Sequence, residues 1–120
     1  MSTGKLILTY GTFDLLHYGH LLLLRRARAL GDRLAVGLSS EEFNAIKGKK
    51  SAMNYEERKS LLEELRCVDH VFPEHNWEQK ADDIQRLGAA VLVMGDDWQG
   101  KFDHFGKYCN VVYLSRTPEI

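Results

Sequence analysis

The most constraining passage of this sequence is residues 5–30, where a β-type run, a glycine-flanked turn and a helical stretch follow one another without a gap. KLILTY, at 5–10, is rich in β-branched and aromatic residues, and 21–30 places Leu23, Leu24, Ala27 and Leu30 at helical spacing. Between them lies GTFDLLHYGH, residues 11–20. A chain that leaves a strand and enters a helix through a tight turn aims the helix's free N–H groups, and the positive end of its dipole, at that turn. Such a place suits an anion. Gly11 and Gly19 are expected to supply unusual dihedrals or a close backbone approach.

His17 and His20 bring side-chain donors to the same spot, one turn apart if the helix begins near Tyr18. The plainer alternative makes one histidine a cap and the other an ordinary surface or core residue. A zinc pair lacks a third and fourth ligand at suitable spacing. Arg25, Arg26 and Arg28 fall largely outside the apolar stripe and read as a solvated face.

Downstream the pattern repeats. RLAVGLS (33–39) predicts a strand covered on both sides, and Ser39 and Ser40 cap a helical turn through 43–46. Lys47-Gly48-Lys49-Lys50 then reads either as a flexible solvated loop or as a lysine-bearing flap over an anion. Asn54 and Glu57 have capping-box spacing before a helix carrying Leu61, Leu62 and Leu65. A third strand is expected over 68–72, ended by Pro73. A second box-like start at Asn76 opens a helix to about Leu87, with Gly88 as its stop. Strands at 91–94 and 111–114 complete the set.

The run from Gly95 to Phe102 spells most of a P-loop, but Phe102 stands where Ser or Thr must hold magnesium, and Asp96 and Asp97 would face the phosphates. Asp97 and Trp98 read as a polar group and an aromatic plane lining a base or sugar pocket, or as a capped short helix with a buried Trp. Strands alternating with helices predict an α/β fold: a single Rossmann-like domain over 1–120, with a five-stranded parallel sheet and helices on both faces. Ligands are then expected beyond the strands' C-terminal ends, where the opening turn, the lysine loop, Asp97, Trp98 and Arg116 all fall.

Charge excludes some classes of function. Sixteen basic against seventeen acidic residues leave a net charge of −1, so nonspecific nucleic-acid binding is not expected. Cys67 and Cys109 form no C-x-x-C motif, and residues 21–24 are far too short an apolar run to cross a bilayer. With no signal-peptide pattern in MSTGK, a cytoplasmic protein without membrane insertion is expected.

His17-Tyr18-Gly19-His20 has the H-x-G-H form, and the chain resembles the cytidylyltransferase branch of the nucleotidyltransferase superfamily. EEFN, KGKK, YEERK, NWEQK, MGDDWQGKFD and VVYLSRT are similar to members of that branch acting on glycerol 3-phosphate, over nearly the whole chain. The resemblance implies transfer from CTP to sn-glycerol 3-phosphate, giving CDP-glycerol for teichoic acid and diphosphate. It further implies magnesium and a homodimer.

It places Gly11, Thr12 and Phe13 at the nucleotide and His17 and His20 on its phosphates, with Lys47 reaching the CTP phosphates. Lys49 and Lys80 are placed at the glycerol phosphate, and Gly95, Asp97 and Trp98 around cytidine. Asp14 is expected to touch substrate, orient a histidine or assist magnesium. Arg116, with a catalytic role, and Thr117 match the start of a C-terminal R-T-x-G-I-S-T motif. Glu119 stands at the usual glycine and the sequence stops at Ile120, so the family's C-terminal segment is expected to be absent. Two other readings stay open: the same chemistry on choline, ethanolamine or polyol phosphate or with ATP, and a nucleotide-binding protein with impaired catalysis.

Overall fold

The computed structural model describes residues 4–115, so Arg116 and Thr117 lie outside the described residues. Five strands, β1 (Leu6–Gly11), β2 (Arg33–Ser39), β3 (His70–Glu74), β4 (Ala89–Gly95) and β5 (Asn110–Leu114), form one sheet in the order β3-β2-β1-β4-β5. Every pairing is parallel. The chain builds outward from β1 through β2 to β3, then crosses to β4 on the other side of β1. Gly11 and Gly95 therefore end neighbouring strands at the switch point, where a crevice opens.

The period-2 alternation of each strand divides the core into two layers. Ile7, Val36 and Val93 face one way, against Leu24 and Ala27 of α1 (Tyr18–Arg28) and Leu62 of α3 (Tyr55–Glu63). Leu8, Ala35 and Leu92 face the other, against Ile84 of α4 (Gln79–Leu87) and Phe105 in the short 3-10 turn Asp103–Lys107. Each large apolar side chain sealed this way contributes about 1.5–3 kcal/mol. Gly37 is required where Tyr10 crosses β2, because a Cβ there would lie 2.3 Å from the Tyr10 ring. No helix among the described residues is long and apolar enough to cross a membrane.

Several boundaries differ from expectation for local reasons. The first helix starts at Tyr18 and ends at Arg28, which leaves Leu30 outside it and exposed. Arg28 is not simply solvated, since its Nε bonds Asp69 at 3.1 Å. The third strand runs through Pro73 instead of stopping before it. β3 is an edge strand paired only with β2, so a missing N–H is tolerated there. Helix α2 (Glu41–Ile46) is capped by Ser40, α3 has the expected Asn54–Glu57 capping box, and Gly88 closes α4 at φ +66°. Asn76 Oδ1 accepts from the Gln79 N–H at 2.8 Å, yet α4 begins only at Gln79, two residues later than a box would start it.

Candidate active site

His17 is the N-cap of α1. Its Nδ1 accepts from the Gly19 N–H at 3.0 Å, while His20 Nδ1 accepts from the His17 N–H at 3.2 Å. The three-residue spacing of H-x-G-H is therefore a capping box built from histidines. With both Nδ1 atoms occupied as acceptors, the neutral rings carry their proton on Nε2. The rings stack at 3.9 Å, and His20 is braced edge-on by Phe13 at 5.4 Å. Burial, reinforced by the neighbouring His17, pushes the His20 pKa below its usual value, so His20 is a neutral donor at pH 7. The first turn of α1 holds no acidic residue.

Unusual dihedrals fall on Phe13 (φ 48°) and Leu15 (φ 49°), not on Gly11 or Gly19. Gly11 matters for space instead, because a Cβ would lie 2.8 Å from the Phe13 ring. Left-handed non-glycine residues cost about 1–3 kcal/mol each and persist only where the surroundings enforce them. Here they do. The Asp14 carboxylate accepts from the N–H groups of Ala52 (2.7 Å) and Met53 (3.0 Å), which holds its pKa below the usual carboxylate range. Phe13 is buried, and Arg58 Nη1 donates to the Thr12 carbonyl at 3.0 Å.

An open cleft of about 530 Å³ lies beyond Gly11 and Gly95, walled by Asp14, His20, Lys49 and Asp97 with Trp98 at its side. Asp97 belongs to a 3-10 turn, Asp96–Trp98, and its carboxylate folds back over Gly95, where a Cβ would lie 2.7 Å from Oδ1. Trp98 is half-buried in a row with Trp77 (5.9 Å) and Phe102 (5.3 Å), so it is both packed and a wall of the cleft. Phe102 is buried, consistent with the rejected P-loop.

A recess of about 60 Å³ opens off the cleft, sharing Gly11, Thr12 and Trp98 with it and adding Lys47, Glu74 and Lys80. Lys47 Nζ donates to Thr12 Oγ1 at 3.3 Å and sits 4.7 Å over the Phe43 ring; burial pushes its pKa down to about 8. Lys49 is exposed and borders both spaces. Lys80 is only 2% exposed, and its Nζ lies 2.6 Å from Glu74 Oε2. Desolvation raises the Glu74 pKa even against Lys80.

Sequence reasoning missed Arg58, Glu74, Trp77 and Tyr10. Arg58 is fully buried and donates to the carbonyls of Thr12, Ser39 (2.8 Å) and Met53 (3.0 Å) as well as to Glu41 Oε1 (3.0 Å). Its signal is positional: residues 55, 58, 62 and 65 make one helical stripe, and a lone arginine among Tyr and Leu on that stripe must go inward. Lys80, with Ile84 and Leu87 on the stripe of α4, carries the same mark. Behind them Tyr10 Oη donates to Asp83 Oδ2 at 2.8 Å, and Asn44 Oδ1 receives the hydroxyls of Ser39 and Thr12.

A parallel sheet with histidines capping the helix after its first strand and lysines across the cleft defines the nucleotidyltransferase class. Residues 8–117 match the family model described as cytidylyltransferase-like, and the chain belongs to that family. The glycerol-3-phosphate cytidylyltransferase of Staphylococcus aureus (strain NCTC 8325 / PS 47) is 56% identical over 97% of this chain and 88% of its own. That of Bacillus subtilis (strain 168) is 57% identical over 97% of this chain and 90% of its own. Among solved structures, the lipopolysaccharide core biosynthesis protein from Thermoplasma volcanium GSS1 superimposes with a TM-score of 0.81 at 23% identity, covering 95% of this chain and 98% of that one. That likeness is one of fold.

Proposed function

We propose that the protein transfers a cytidylyl group from CTP to sn-glycerol 3-phosphate, giving CDP-glycerol, a teichoic acid precursor, and diphosphate. The carrying observation is the pair of backbone-fixed histidines at the start of α1, whose Nδ1 atoms are occupied and whose Nε2–H groups are left to a ligand. The 56–57% identity to enzymes of that name supports the choice of substrates.

The reaction suits a site of this kind. An oxygen of the acceptor phosphate attacks the α-phosphorus of CTP in line; the new P–O bond forms as the bond to the β-phosphate bridging oxygen breaks, and diphosphate leaves. The attacking oxygen is already ionised at neutral pH, so no general base is needed. Catalysis then comes from alignment and from donors aimed at developing charge. His17, His20 and the N-terminus of α1 face the nucleotide's phosphates. Lys47 and Lys49 supply positive charge from across the cleft, and Arg116 would add a further cation. Gly95, Asp97, Trp98 and Thr117 are assigned to the nucleotide.

Magnesium fits as an ion carried on the phosphates: it takes one or two carboxylates plus substrate oxygens, and Asp14 and Asp97 border the cleft. Among the described residues no group of three or more His, Cys, Asp or Glu could hold a metal by itself. Bound there, it would neutralise triphosphate charge. On the resemblance, the proposal extends to a homodimer, which sedimentation would show as twice the chain mass of 13.8 kDa.

A diphosphate-release assay with magnesium, crossing CTP and ATP with glycerol, choline and ethanolamine phosphates, tests the reading. Turnover is expected with CTP and sn-glycerol 3-phosphate above all other pairs. CTP binding without diphosphate release from any acceptor would sink it.

A further inference from the structure

Asn44 ties the lysine loop to the floor of the cleft twice, by its main chain and by its side chain. Helix α2 ends in a Schellman turn: the Lys49 N–H bonds the Asn44 carbonyl at 2.8 Å, the Gly48 N–H bonds the Ala45 carbonyl at 3.1 Å, and Gly48 takes φ +72°. The Asn44 side chain is only 3% exposed, and its Oδ1 accepts from Ser39 Oγ at 2.8 Å and from Thr12 Oγ1 at 3.3 Å. Thr12 Oγ1 in turn accepts from Lys47 Nζ at 3.3 Å. A hydroxyl that accepts from an ammonium has its own proton to give, and Asn44 Oδ1 is the acceptor it meets.

Stability does not call for an amide here. Asn44 Nδ2 is buried with no partner among the described residues, at a cost of about 1–3 kcal/mol, and a leucine of similar size would leave no donor unpaired. The oxygen is the half of the side chain that acts.

We propose that Asn44 is a positioning residue for the transfer, fixing through Thr12 the place where the Lys47 ammonium stands before the nucleotide binds. The inference rests on the reading of Lys47 as a cation for the nucleotide's phosphates. Two physical points support it. A lysine side chain carries about 2 kcal/mol of rotamer entropy, so an ammonium held in advance is ready when the phosphates arrive. Glu74 lines the same recess and attracts Lys47, and a lysine drawn onto that carboxylate would be neutralised in the ground state. A hydroxyl anchored on an amide oxygen holds the ammonium and leaves its charge uncompensated.

The test measures kcat/KM for CTP against pH, by diphosphate release, in the wild type, Asn44→Leu, Asn44→Asp, Lys47→Met and the double variant of Asn44→Leu with Lys47→Met. Asn44→Leu removes the oxygen at similar volume and should lower kcat/KM by about tenfold to 10²-fold at pH 7, because the ammonium loses its fixed place. In the Lys47→Met background the same change should matter by less than about twofold, since no ammonium is left to position. Asn44→Asp keeps an accepting oxygen and adds a negative charge one hydroxyl away from Lys47, which Glu74, Lys49, Lys80 and Arg58 already surround. It should restore most of the turnover and move the alkaline fall in kcat/KM up by about one pH unit.

Losses that multiply in the double variant, or wild-type kcat/KM in Asn44→Leu, overturn the proposal. Should Asn44→Leu not fold, Asn44→Asp decides: an alkaline fall left at its wild-type position refutes the link to Lys47, and a displaced one supports it. A wild type inactive with every acceptor would refute the transferase reading instead. The Lys47 titration, followed by NMR at its Cε, would then still report on the relay: its midpoint should rise in Asn44→Asp, and an unmoved midpoint overturns the relay as well.

Discussion

The two walls of the site treat charge in opposite ways. At the start of α1, His17 and His20 are fixed by their own backbone, sit exposed or half-buried, and keep Nε2–H groups free of the caps they form. In the recess, Lys80 is sealed from solvent and already matched by Glu74. Stabilising charge that develops in a transition state needs donors that have not been satisfied in the ground state. The Lys80–Glu74 pair is the reverse case, charges compensated before any ligand arrives. Lys47 stands between the two, half-buried and bonded to a hydroxyl rather than a carboxylate.

The sharpest way to break that contrast is at the histidines. His17→Ala and His20→Ala should each lower kcat by about 10²-fold to 10³-fold, the effect of losing one preorganised donor. His17→Ala also removes a helix cap, at a cost of about 1 kcal/mol in stability. The two roles separate in His17→Asn, since asparagine caps well but offers no donor at the Nε2 position. Urea unfolding of His17→Asn is expected to return to wild type while turnover stays low. Recovered turnover would reduce His17 to a cap.

The difference between the walls also explains what could be read from sequence. The histidine turn is local: strand, turn, cap and helix all lie within residues 5–30, and H-x-G-H spacing is itself the capping geometry. The alternation of strands and helices made the sheet legible for the same reason. The recess is built from β1, β3, α4 and the segment after β4, and no spacing along the chain announces that Lys80 meets Glu74 or that Tyr10, Trp77 and Phe102 surround it. Lys80 is expected from sequence at the acceptor phosphate; the stripe it shares with Ile84 and Leu87 marks it as inward, but its partner Glu74 is visible only in three dimensions. The strain at Phe13 and Leu15 is hidden similarly, because its anchors, Ala52, Met53 and Arg58, lie about forty residues further on.

Arg58 ties Thr12, which lines both spaces, to the end of β2 and to the loop before α3, so its loss should disturb the floor the two walls share. Arg58→Met keeps most of the stem but leaves the carbonyls of Thr12, Ser39 and Met53 without their charged donor. Glu41 is half-exposed on its side chain and can turn to water, so the penalty comes from the carbonyls. Stability should fall by on the order of 3 kcal/mol in denaturant unfolding, with KM raised for both substrates as the 12–16 loop loosens. An Arg58→Lys variant should fare little better, because one ammonium cannot fork to carbonyls on separate segments. A midpoint shift worth less than about 0.5 kcal/mol would show that the loops are held by other contacts.

The smallest effect is the most diagnostic, because two observables should move in opposite directions. Burial holds the Lys47 pKa at about 8 in the folded chain, against 10.5 for a free lysine. Between those values the unfolded chain binds more protons than the native one, so this group's contribution makes stability rise with pH from about 8 to 10.5. Activity should do the reverse. kcat/KM reports the free enzyme, and loss of the Lys47 cation above about pH 8 should lower it by up to tenfold per pH unit. Lys47→Arg keeps its charge throughout and should flatten both trends, the alkaline fall in kcat/KM and the alkaline gain in stability. If only the activity limb survives in that variant, the titrating cation lies elsewhere in the cleft, and Lys47 belongs with the compensated wall rather than between the two.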